Sequence, residues 1–133
     1  FFDAGIYRAI RPMGPFDDVN GVSGIALETL FLQNIRAIND YFDLKYKIYY
    51  YRTILGVEVD FILYGEKGLL AFEIKGSNRF SRSDLRGLKA FLADYPIAKG
   101  YLIYGGNQKM YFGNIEVWPA AEALKKLPEI LQS

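Results

Sequence analysis

Apolar residues recur along this chain with two different periods, and the switches between them mark out its elements. Residues 1–22 are short apolar pieces broken by Pro12, Gly14, Pro15 and Asp17-Asp18-Val19-Asn20-Gly21, which reads as a strand or turn followed by a loop. From Ser23, a suitable N-cap, Leu27, Leu30, Phe31, Ile35 and Ile38 keep the 3.6-residue spacing of an amphipathic helix ending at Asn39-Asp40. Period two then takes over in Tyr46–Arg52, Val57–Tyr64 and Leu69–Lys75, with turn signals at Leu55-Gly56 and Gly65-Glu66-Lys67-Gly68, so an antiparallel meander is expected. Ser81 to Ala93 returns to helical spacing, with Ser81 and Asp84 placed as a capping box and Leu85, Leu88 and Leu92 on one face. The strand Lys99–Tyr104 follows closely enough to be a crossover unit, parallel to the strand before the helix.

Gly113-Asn114 divides Lys109–Trp118 into a hairpin, and Pro119 opens a last helix bearing Ala120, Leu124, Leu127 and Leu131, with a kink or early stop expected at Pro128. The predicted fold is α/β, one domain over residues 1–133. A mixed central sheet is flanked by helices in the order α-β-β-β-α-β, then a hairpin and a helix.

Strand alternation decides which polar side chains share a face. In the second strand Val57, Val59, Phe61 and Leu63 point one way, and Glu58 and Asp60 point the other with Ile62 and Tyr64. In the third, Leu70, Phe72 and Ile74 oppose Glu73 and Lys75. Carboxylates inside apolar runs are costly unless a cation compensates them, so Asp60 and Glu73 on neighbouring strands suit one shared divalent ion. Lys75, two residues beyond Glu73, is placed to polarise a water or neutralise a phosphate. The arrangement is that of metal-assisted phosphodiester hydrolysis.

Composition narrows the chemistry. With no cysteine and no histidine among 133 residues, disulfides, thiolate zinc sites, Ser-His-Asp and Cys-His triads and histidine bases are excluded. Carboxylate oxygens favour Mg²⁺ or Mn²⁺. The absence of cysteine suits a reducing, cytoplasmic setting, no apolar run is long enough to span a membrane, and the opening Phe-Phe-Asp-Ala-Gly suggests a piece of a longer protein without a signal peptide. A formal charge of +1 carries no argument for nucleic acid, but Arg79, Arg82, Arg86 and Lys89 cluster beside Lys75 and could track a phosphate backbone.

The pattern Asp60, then twelve residues, then Glu73-Ile74-Lys75 resembles the Asp…(Asp/Glu)-x-Lys signature of the PD-(D/E)XK, or restriction-endonuclease-like, superfamily. The likeness extends to the nuclease-like domain of unknown function at the C-terminus of prokaryotic AAA+-type ATPases. It rests on Phe2-Asp3-Ala4-Gly5, Gly24-x-x-x-Glu28, Tyr51-Arg52, Gly56-Val57-Glu58-Val59-Asp60-Phe61 and Glu73-Ile74-Lys75. The resemblance implies a restriction-endonuclease-like fold, Glu28 joining Asp60 and Glu73 as metal ligands, and Asp60, Glu73 and Lys75 as the catalytic set. It also implies an N-terminal ATPase domain in the same polypeptide and nucleic acid as substrate. No G-x-x-x-x-G-K-[ST] loop occurs, so no ATP site is assigned to this chain.

Plainer readings stand beside these. Glu73 and Lys75 could be an exposed ion pair, Glu28 a solvated flank of its helix, and the basic cluster a solvated face. Glu58 is expected to pair with Arg52. Tyr49, Tyr50 and Tyr51 could stack on bases, although consecutive strand aromatics more often pack in the core, as Trp118 is expected to do. The corresponding alternative to a nuclease is a non-catalytic module of the same fold that binds DNA or a partner, or regulates an attached ATPase.

Overall fold

A computed structural model of the chain describes residues 19–54 and 56–133, with side chains from Ala26 onward. The Phe2-Asp3-Ala4-Gly5 motif and the strand or turn expected before residue 19 lie outside the described residues. Helix α1 spans Val19–Tyr41, so the loop expected through Gly21 is already helical at Val19, and Ser23 lies inside the helix rather than capping it. Strands β1 (Lys47–Arg52), β2 (Glu58–Gly65) and β3 (Gly68–Ile74) form the expected meander. A 3₁₀ turn over Arg82–Leu85 leads into α2 (Arg86–Asp94), then β4 (Lys99–Tyr104), β5 (Met110–Phe112), β6 (Ile115–Pro119) and α3 (Ala120–Gln132).

The six strands make one mixed sheet in the order β1-β2-β3-β4-β6-β5. Antiparallel pairing within the meander gives way to parallel pairing of β3 with β4 and of β4 with β6. The β4–α2 side follows from the right-handed crossover preference, which carries α2 across one face of the sheet. The β5–β6 hairpin turns on Gly113, whose φ of +62° suits the left-handed position that a two-residue turn demands.

Two apolar layers sandwich the sheet. On one face Phe31, Leu32 and Ile35 of α1 and Leu127 and Leu131 of α3 meet Phe61, Leu63, Phe72, Tyr101 and Ile103. On the other, Leu85, Leu88 and Phe91 meet Val59, Ile62, Ala71, Leu102 and Val117. Each large apolar side chain so enclosed contributes about 1.5–3 kcal/mol. This hold explains why Pro128 does not end α3 early: Leu127, Ile130 and Leu131 bury the last turns around it. Among the described residues no helix is long and apolar enough to cross a membrane.

One irregularity changes which side chains share a face. Tyr49 pairs with Ile62 but Tyr51 with Val59, so Asp60 and Phe61 together oppose Tyr50 in a β-bulge. The extra residue shifts the alternation of β2. Val59 therefore faces α2 with Ile62 while Phe61 and Leu63 face α1 and α3, contrary to the simple period-two expectation. The tyrosines of β1 also depart from expectation, because β1 is an edge strand. Tyr49 and Tyr50 are 47% and 60% exposed, whereas Trp118 is buried as expected.

Candidate carboxylate site

The ladder between β2 and β3 runs from Gly65–Gly68 to Phe61–Phe72, and one step further on two side chains occupy its place. The backbone N–H of Ile74 donates to Asp60 Oδ2 at 2.7 Å, and the backbone N–H of Asp60 donates to Glu73 Oε1 at 3.2 Å. Each carboxylate thus satisfies a strand donor that the splayed backbone would leave open. The bulge at Asp60 and Phe61 causes the splay by advancing β2 relative to its neighbour.

Burial, and after it the nearby Asp60 charge, push Glu73 up to about 9. Burial also raises Asp60, opposed by its hydrogen bonds from Glu73 and Ile74. Glu28, half-buried on α1, is pushed up to about 7 by burial and then by the Asp60 charge. Glu28 is therefore not a fully solvated flank: it faces the same cluster across a cleft of about 450 Å³ shared with Asp60, Glu58 and Tyr50.

Glu73 opens into a second cleft, of about 390 Å³, on the α2 side of the sheet, lined also by Lys75, Asp84 and Arg86. Asp60 and Glu73 bridge the two clefts at the open end of the β2–β3 pair, and Glu58 borders both. Lys75 is paired with Asp84, Nζ to Oδ1 at 2.7 Å, rather than with Glu73. Asp84 had been legible only as a capping residue, a role it also fills by accepting the Ser81 N–H at 2.8 Å. Burial pushes Asp84 up, but the hydrogen bonds and charge of Lys75, with those of Ser81, outweigh it and hold the acid below its usual value. Glu58 pairs with Arg52 as expected.

The basic cluster is exposed throughout but not gathered. Arg86 borders the Glu73 cleft, the Arg82 guanidinium lies 5.6 Å from the Phe112 ring centre, and Arg79 sits in the preceding loop with its N–H on Ser77 Oγ. Lys89 is an exposed residue of α2.

The donors suit a hard cation: burial raises the proton affinity of all three carboxylates, the Asp60 charge raises Glu28 and Glu73 further, and a cation would relieve that repulsion. As the side chains stand, no group of three or more acids among the described residues closes into a cage for an ion. The fit therefore lies in the Asp60–Glu73 pair, with Glu28 across the cleft from Asp60.

A family model described as "Domain of unknown function (DUF4143)" matches residues 23–123, from α1 into α3, and so contains every residue of both clefts named here. No curated protein matches the sequence.

Proposed function

From the premise that the chain belongs to the DUF4143 family of unknown function, we propose that it is a PD-(D/E)XK-like nuclease domain hydrolysing phosphodiesters of nucleic acid with Mg²⁺ or Mn²⁺. The observation that carries this reading is the Asp60–Glu73 pair, two carboxylates fixed at the open end of two strands with Lys75 two residues further on. Asp60 and Glu73, with Glu28 alongside, would hold a Mg²⁺ that would supply Lewis-acid stabilisation of the phosphate charge and a more acidic water. The chain's own residues do the rest. Lys75 and Arg86, lining the cleft with Glu73, offer N–H donors to the phosphoryl oxygens. Water oxygen bonds to phosphorus as the ester P–O bond breaks, the water's proton is released to solvent, and the departing alkoxide takes up a proton from solvent water. The absence of cysteine suits a cytoplasmic setting, and the resemblance of its motifs implies an N-terminal ATPase domain in the same polypeptide.

A second reading has its own support, because among the described residues no three acids close into a cage. It makes the domain a non-catalytic module that binds nucleic acid or regulates the attached ATPase. End-labelled DNA and RNA incubated with the full-length protein separate the two. The nuclease reading expects cleavage dependent on Mg²⁺ or Mn²⁺ that falls ~100-fold or more in Asp60→Asn and in Glu73→Gln. Retained nucleic-acid binding without cleavage at any divalent-ion concentration would establish the module instead.

A further inference from the structure

Lysine carries a flexible four-carbon stem whose ammonium ordinarily samples solvent. Lys75 is constrained at both ends. Its backbone N–H donates to Ile103 O at 2.7 Å, extending the β3–β4 pairing one residue past the strand. Its Nζ is 2.7 Å from Asp84 Oδ1, in a pair whose side chains are only 34% and 18% exposed. The two oxygens of Asp84 are divided between tasks. Oδ2 takes the Ser81 N–H at 2.8 Å and the Ser81 hydroxyl at 3.3 Å, while Oδ1 is given to Lys75.

The cap requires one oxygen only, so reaching Lys75 adds nothing to starting the helix. A partly exposed ion pair also adds little stability. Its larger effect is on where the ammonium can be. Anchored to the 3₁₀ turn, the Lys75 head group stays in the cleft that Glu73 and Arg86 share. The turn is itself held at fixed height, because α2 presses Gly87 directly onto the Glu58 carbonyl.

We infer that Asp84 is a positioning residue for the reaction proposed above, holding the Lys75 ammonium beside Glu73 where it meets the phosphate. The inference rests on the nuclease reading. Asp84→Asn keeps the side-chain shape and an acceptor for the Ser81 N–H but removes the charge that retains Lys75. Single-turnover cleavage should slow ~10–100-fold in this variant while KM and the melting temperature stay near wild type, and Asp84→Glu should restore part of the rate. In a Lys75→Met background the same Asp84→Asn change should have no further effect, because Asp84 acts only through Lys75. An Asp84→Asn enzyme with the wild-type rate, or an equal loss with and without Lys75, overturns the positioning role and leaves the nuclease reading intact. A wild-type protein that does not cleave with Mg²⁺ or Mn²⁺ removes both together.

Discussion

Glu73 and Glu28 keep protons that free glutamates release, and this has a direct consequence for stability. An acid whose folded pKa lies above its unfolded value binds more protons when folded, so unfolding free energy falls as pH rises between the two values. For Glu73 that window runs from 4.5 to about 9, and for Glu28 from 4.5 to about 7. Without divalent ion, the domain should lose stability steadily as pH rises through these windows. Glu73→Gln should flatten most of that slope and gain roughly 1–3 kcal/mol at the alkaline end, since it removes a buried charge while keeping an acceptor for the Asp60 N–H. Urea unfolding at both ends of the window checks this; a variant no more stable than wild type at alkaline pH would refute it. Asp60, Glu73 and Lys75 were legible as a set because charges inside apolar runs demand an explanation. Asp84 was not: its spacing to Ser81 already explained it locally, and its reach to Lys75 exists only after β3 and α2 have docked.

At the scale of elements, α2 approaches the sheet more closely than a side chain allows. A Cβ at Gly87 would lie 2.2 Å from the Glu58 carbonyl oxygen, a backbone atom that cannot swing aside. Gly87→Ala must therefore lift α2 off β2. We expect a loss of roughly 2–4 kcal/mol in urea denaturation, with lowered nucleic-acid cleavage even where folding survives, because Asp84 moves with the helix. Wild-type stability in this variant would contradict the close contact. Elements were read well where a short β-rich run is bounded by turn signals, as in β4, buried on both faces, and the Gly113-Asn114 hairpin, whose pattern and turn chemistry agree. The β2 bulge escaped because a single extra residue is visible only against the pairing of β1, not in β2's own alternation. Pro128 misled for a related reason: a local rule predicts a break, and burial of the neighbouring leucines and isoleucine overrides it.

Across the whole molecule, the two helices of one layer are tied to the sheet at a point distant in sequence from either core centre. Tyr46, just before β1, donates its hydroxyl to Leu131 O at 2.8 Å, while Asn39 of α1 clasps the Tyr46 backbone through both its N–H and its carbonyl. Tyr46→Phe leaves the Leu131 carbonyl without this donor and should cost about 1–3 kcal/mol. Loss of amide-exchange protection should concentrate at the end of α3, and uniform loss or none would argue against the link. A tie of this range could not be read from sequence, whereas a mixed sheet flanked by helices could. A different consequence follows from the end of the β2–β3 ladder, where Asp60 and Glu73 stand in for missing strand acceptors. A descendant that no longer cleaved anything would still be penalised for replacing Asp60 with an apolar residue, since the Ile74 N–H would lose its partner. Selection for folding alone would keep an acceptor at position 60 long after an activity had lapsed, so its persistence in a relative certifies the sheet and not the chemistry.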